Sequence, residues 1–101
     1  MVKKPAVISQ KWELELFIND ATPRSAASLY NVKAAVDRYL PGGYHLKVVD
    51  IIQEPAQAKI NQIVATPTLI KVSPSPRRVL VGDFTNLDCV LGALHLGPAR
   101  G

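Results

Sequence analysis

The segment Ala65-Thr66-Pro67-Thr68-Leu69-Ile70-Lys71-Val72 sets a Thr-Pro-Thr turn directly before an apolar strand. Upstream, Leu14, Leu16 and Ile18 alternate with Glu13 and Glu15, the period of two of a half-buried strand. Thr22-Pro23 then starts a helix, a hydroxyl N-cap followed by proline where the backbone N–H is not needed. Leu29, Val32, Val36 and Leu40 recur at helical spacing until Pro41-Gly42-Gly43 stops the run. Leu46 to Ile51 is a second apolar strand, and a crossover of this length predicts a parallel, right-handed βαβ unit. Pro55 opens a second helix with Ala56, Ile60 and Ile63 on one side. Residues 68–72 and 78–81 read as two strands joined by the hairpin connection Ser73-Pro74-Ser75-Pro76. Thr85 and Asp88 form a weaker, acidic version of the capping box, and Val90, Leu91 and Leu94 supply a helical face up to Gly97-Pro98. The predicted order is β-α-β-α-β-β-α, without internal repeats.

At 101 residues the chain is expected to form one domain over 11–97, with a short poorly ordered arm at 1–10 and a tail at 98–101. A chain of this size buries roughly 60–70% of its unfolded surface, enough for a single core. No apolar run approaches the ~20 residues of a membrane span, and the first ten residues lack a signal-peptide core. The single Cys89 excludes an intrachain disulfide and suits a reducing compartment, so the cytoplasm is the expected location. The net charge of +4 invites a nucleic-acid reading. However, the lysines are scattered, Arg77-Arg78 is the one adjacent basic pair in the body of the chain, and no aromatic-plus-basic repeat is present. A mildly basic, solvated surface accounts for the charge.

The element order is the thioredoxin arrangement, reached from periodicity and caps. An oxidoreductase of that fold needs a low-pKa thiolate at the first helix's N-terminus, where the helix dipole stabilises negative charge. Here the position reads Asn19-Asp20-Ala21-Thr22-Pro23-Arg24-Ser25, without a cysteine. Ser25 is the conceivable nucleophile, but no histidine lies near it in sequence to activate it, and a capping or surface serine is the simpler reading. Cys89 falls on the last predicted helix, far from that site, where a structural cysteine is expected. His45 and His95 are isolated, so no metal site is expected, and the chain has no Gly-rich phosphate loop; no cofactor is expected either. Glu13 and Glu15 read as charges that keep one strand face wet, and Trp12 as an anchor at the core's edge rather than a ligand platform. The required groups for an enzyme are absent, which turns the reading towards binding.

One combination of residues is specific. Thr22-Pro23-x-Ser25, Leu46-Lys47-Val48-Val49-Asp50, Ala65-Thr66-Pro67-Thr68-Leu69-x-Lys71-Val72, Pro74-x-Pro76, Arg78 and Gly82-Asp83 follow in order without evident gaps from about residue 12 to 96. In that order and spacing they resemble the KaiB family of circadian clock proteins. The resemblance implies a metamorphic chain: a ground-state fold assembled into tetramers, and a rarer thioredoxin-like monomer that binds partners. The two folds differ after about residue 52. It also implies a non-enzymatic role, in which the switched form docks on the KaiC ATPase ring, sequesters KaiA and engages output histidine kinases.

Pro67, Pro74 and Pro76 lie in the region expected to change, and X–Pro bonds cost only ~0.5–1 kcal/mol to place in cis. At least one of them, Pro67 first, is expected to differ in isomer between folds, although Pro74 and Pro76 also serve simply to stiffen a turn. Gly82 and Asp83 are the expected hinge pair, since a glycine accepts backbone angles of either sign. Lys47, Lys71 and Arg78 are the expected partner contacts, each lysine being equally readable as a solvated charge flanking a strand. Core-clock members tend to carry basic residues where this chain has Ala27, Tyr30, Gln62 and Val79, often have acidic ones at Lys59 and Asn61, and end in an acidic tail. These departures bear on partner choice, and leave open a divergent paralogue that serves another KaiC-like ATPase, or a stress or chaperone role outside timekeeping.

Overall fold

The computed structural model describes residues 11–19, 22–40, 43–74, 76–82 and 84–85. Within them run β1 (Trp12–Ile18), α1 (Pro23–Tyr39), β2 (Tyr44–Asp50), α2 (Pro55–Ile60), β3 (Thr68–Ser73) and β4 (Arg78–Val81). The arm, the tail, Asp83 and the last predicted helix with Cys89 and His95 lie outside the described residues.

The four strands form one sheet in the order β2-β1-β3-β4. β1 and β2 pair in parallel, Trp12 opposite Tyr44 through Ile18 opposite Asp50, as the long crossover between them demands. β3 runs antiparallel to β1, and β4 antiparallel to β3.

The alternation in β1 decides which residues meet. Leu14, Leu16 and Ile18 point to the face covered by α1 and pack with Val32, Ala35, Val36, Leu69 and Phe84. On the opposite face Phe17, Val49 and Ile70 form a smaller cluster with Ile51 and Ile63. Full burial of one Val or Leu side chain stabilises by about 1.5–3 kcal/mol, so the α1 face supplies most of the core.

α1 starts as its caps predict. Thr22 is extended, its Oγ1 accepts the Ser25 N–H at 3.2 Å, and Pro23 occupies the first turn. The helix closes at Leu40, whose N–H donates to the Val36 carbonyl.

α2 departs from the expectation. It spans only six residues and buries none of them; Ala56 is exposed and Ile60 is 74% exposed. Gln62 takes a left-handed φ of 57°, which ends the helical course and turns Ile63 alone towards the sheet. Three residues at helical spacing thus do not share a buried face.

Candidate functional site

Lys71 is the charged residue the fold treats least like a surface group. β3's alternation puts it on the α1 face with Leu69, next to the β1 residue Leu14 and opposite Arg78 of β4. The residue is only 2% exposed. Its Nζ sits 4.6 Å from the centre of the Trp12 ring, a cation–π contact worth ~0.5–2 kcal/mol. Among the described residues no carboxylate pairs with it. Burial first, and the nearby Arg78 charge second, hold its ammonium below the ordinary lysine value. The reading of Lys71 as a solvated flanking charge therefore fails. Trp12 likewise does more than anchor the core's edge, because it is the platform for this cation.

Of the residues singled out as switching positions, Pro67 and Gly82 meet at one end of the β3–β4 hairpin, while Pro74 and Pro76 lie in the connection at its other end. Pro67 is fully buried, and its carbonyl accepts the Gly82 N–H at 3.1 Å, tying the start of β3 to the end of β4. Thr68 closes the turn by donating its hydroxyl to the Ala65 carbonyl at 2.6 Å. Gly82 has φ of 149°, a conformation side chains disfavour, while a Cβ there would meet nothing within 4 Å. The need for glycine is thus one of backbone conformation and not of space. The Thr66–Pro67 and Ser73–Pro74 peptide bonds are cis, and Pro76 is exposed in the β3–β4 connection.

Lys47 is not part of this group. It lies on β2, at the other edge of the sheet, exposed and opposite Glu15. The period of two puts it on the face away from α1, beside Val49, whereas Lys71 shares the α1 face with Leu69.

Ser25 is held in the helix cap. It is buried, and its Oγ accepts the Asn19 N–H at 3.0 Å and the Thr22 hydroxyl at 2.9 Å. The capping reading holds, and the group that would act as nucleophile is an acceptor in a local turn.

Two clusters escaped the sequence. His45 is not isolated: its Nδ1 lies 3.1 Å from Glu13 Oε1 across the parallel β1–β2 pair. Lys33, Asp37 and Tyr44 form a polar clip between α1 and β2. Lys33 Nζ is 3.2 Å from both Asp37 Oδ2 and the Tyr44 oxygen, and the Tyr44 hydroxyl donates to Asp37. The Tyr44 hydroxyl first, then Lys33, pull the Asp37 carboxyl below its ordinary value. Lys33 is raised by its own hydrogen bonds, to Tyr44 first and then to Asp37. Burial first, then Asp37, raises the Tyr44 phenol. The i,i+4 spacing of Lys33 and Asp37 was visible in sequence, but Tyr44 arrives from the next element. Among the described residues no group of three or more His, Cys, Asp or Glu is placed to hold a metal.

These features give a frame of thioredoxin type with a cis-proline turn, a buried cation and a capped first helix. A family model for the KaiB domain matches residues 15–96. The chain belongs to the KaiB family. Curated relatives include the circadian clock oscillator protein KaiB of Microcystis aeruginosa, 36% identical over 91 residues, covering 90% of this chain and 88% of that one. The KaiB of Gloeothece citriformis is 39% identical, over 82% of this chain and 78% of its own. Among solved structures, the N-terminal domain of Synechococcus elongatus SasA superposes with a TM-score of 0.68 at 29% identity, covering 91% of this chain and 87% of that domain. The Drosophila melanogaster thioredoxin Deadhead reaches a TM-score of 0.69 at 11% identity, over 88% of this chain and 83% of its own, a likeness of fold alone. This KaiB-family chain therefore has the thioredoxin-like architecture, as its element order predicts.

Proposed function

We propose that this KaiB-family chain is a non-enzymatic interaction protein that binds a KaiC-type ATPase in timing control, with its second half changing fold between free and bound states. The observation that carries the reading is the twofold likeness: curated relatives named circadian clock oscillator proteins in sequence, and the SasA N-terminal domain in structure. The packing supports the switch. α2 buries none of its residues, and Ile52, Ile60, Val64, Val72, Val79 and Val81 leave large apolar surface exposed in the half that is to change. Lys71 and Arg78 are the proposed contact pair, with Lys47 as a separate contact. Gly82, Asp83 and the prolines 67, 74 and 76 are the proposed switching positions. The free form is proposed to be a cytoplasmic tetramer that exchanges through dimer or monomer, with KaiA or an output histidine kinase as further partners.

Pull-down against the host's KaiC homologues, with ATP, with ADP and without nucleotide, tests the proposal. Capture under at least one nucleotide condition is expected, and none under any would defeat it. Light scattering behind size exclusion should give a tetramer for the free chain, and a monomer at all concentrations would contradict the assembly.

A second reading is favoured by one specific observation. Ala27, Tyr30, Gln62 and Val79, which stand where core-clock members tend to carry basic residues, are all exposed. Loss of one member of a charge pair across a partly desolvated interface costs ~2–5 kcal/mol. A KaiB-derived stress or chaperone-like role without a core-clock partner follows if KaiC binding fails and the chain suppresses aggregation of a denatured client.

A further inference from the structure

We infer that Lys71 is a carbamate-forming site: its side-chain nitrogen takes up carbon dioxide, and the carbamate pairs with Arg78 across the β3–β4 hairpin. The inference is independent of the ATPase reading, because it needs only this chain and a dissolved gas.

Among the described lysines, Lys11, Lys33, Lys47 and Lys59 are exposed, and Lys33 is further held as an ammonium by Asp37. Lys71 is buried. Strand alternation keeps the nearest carboxylates away from it. Glu13 and Glu15 of β1 lie with Phe17 on the face away from α1, whereas Lys71 lies with Leu69 on the α1 face. What faces Lys71 instead is a second cation, Arg78, its direct partner on β4. Directly opposed strand residues bring their Cβ atoms to ~4.5–5.5 Å, within reach of both long side chains. A desolvated amine beside another cation is the setting that turns a lysine into a nucleophile. Burial and Arg78 both push Lys71 in that direction. The Trp12 face favours the ammonium alone, so the nitrogen leaves the ring when it loses its positive charge.

Burial and charge together select the electrophile. An anion would have to shed its water to approach so buried a residue, whereas carbon dioxide is small, uncharged and gains its charge only on bonding. The free amine's lone pair forms an N–C bond to the carbon, one C–O π pair moves onto oxygen, and the nitrogen releases a proton to water. Counted from the ammonium, two protons leave and the site passes from a positive to a negative charge. No oxidant or reductant enters. The product is a planar carboxylate that matches the guanidinium fork of Arg78. Arg78 makes no ion pair among the described residues, so the new anion supplies the partner it lacks. Acylation of the same nitrogen would give a neutral amide and leave Arg78 as it is.

The test uses the full chain and isotopically labelled carbon dioxide in buffer of fixed pH and ionic strength. Trapping carbamates with an alkylating oxonium salt before peptide mass spectrometry should place the label on Lys71 at least about tenfold above Lys47 or Lys59. Trp12 is the chain's single tryptophan, so its fluorescence reads the same event. The emission should change as carbon dioxide is added and stay constant when sodium chloride replaces it, and Lys71→Met should abolish the response. Arg78→Gln should lower the labelling of Lys71 by about tenfold with unchanged circular dichroism, because the carbamate loses its partner. Label absent from Lys71 or shared equally among the lysines, an equal fluorescence response to chloride, or full labelling in Arg78→Gln would each overturn the inference. The KaiC pull-down reads a different partner under nucleotide, so either result stands without the other.

Discussion

The β1–α1–β2 unit and the segment after residue 50 share one sheet, yet they bury their apolar residues unequally. In the first, Leu14, Leu16, Phe17, Ile18, Val32, Val36 and Val49 are all buried, and only Tyr30 and Val48 leave large apolar surface exposed. Among the described residues of the second, Leu69, Ile70 and Phe84 are buried while six large apolar residues are not. The difference has a mechanical origin. A parallel pair with a long helical crossover covers one face of its own strands, whereas a six-residue α2 that ends at Gln62 covers almost nothing. A half held by few core residues opens at lower free energy than one that carries the core.

The comparison breaks most visibly at single core positions. Leu16→Ala should cost ~2–5 kcal/mol in urea denaturation, since it empties a fully buried site. Val64→Ala, 93% exposed, should stay within about 0.5 kcal/mol. Equal costs would mean the two halves are equally packed.

Hydrogen exchange sharpens the same contrast. Amides of α2 and β4 should open at least about 2 kcal/mol below the global unfolding free energy that governs β1 and the middle of α1. Uniform protection would remove the physical support for a fold change confined to the second half.

Lys71 tests the junction between the halves. Lys71→Met should raise stability by about 1 kcal/mol, because it removes a buried ammonium that the Trp12 ring only partly offsets. The folded value of Lys71 is depressed, so between it and the ordinary 10.5 the unfolded chain holds a proton that the folded chain has released. Stability of the unmodified chain should therefore rise with pH across that window, and the Met variant should lack the rise. A flat profile in both would show that the cation is solvated.

The smallest effect belongs to the clip that fastens α1 to β2. Asp37 is held below 3.8, so its contribution is present above that value and is lost as pH falls through the folded one. Tyr44→Phe removes the leading cause and should flatten the acid limb of stability against pH. An unchanged limb would assign the acid sensitivity to other carboxylates.

Much of the fold was legible because its signals are local. The cap at Thr22-Pro23, the period-two run in β1 and the turn before Thr68 each depend on neighbours within a few residues, and each element formed where those signals lie. α2 was legible at its proline start but not in its face, because helical spacing means nothing once Gln62 leaves the helix. The candidate site was legible by residue and not by geometry. Lys47 and Lys71 looked alike as strand lysines, and strand alternation within the assembled sheet put one in water and the other over an indole. His45 and Tyr44 found their partners only through the β1–β2 register and the return of the chain past α1.

By itself, then, the sequence determined the family, the element order from β1 to β4 and the absence of a cysteine at the first helix's start, because residue order, caps and composition are properties of the chain. The tertiary structure alone decided that Pro67 and Gly82 are joined, that Lys71 is buried, and that β4 ends the sheet with its valines uncovered. Those depend on which strands become neighbours, and strand pairing is a long-range choice that no local window contains.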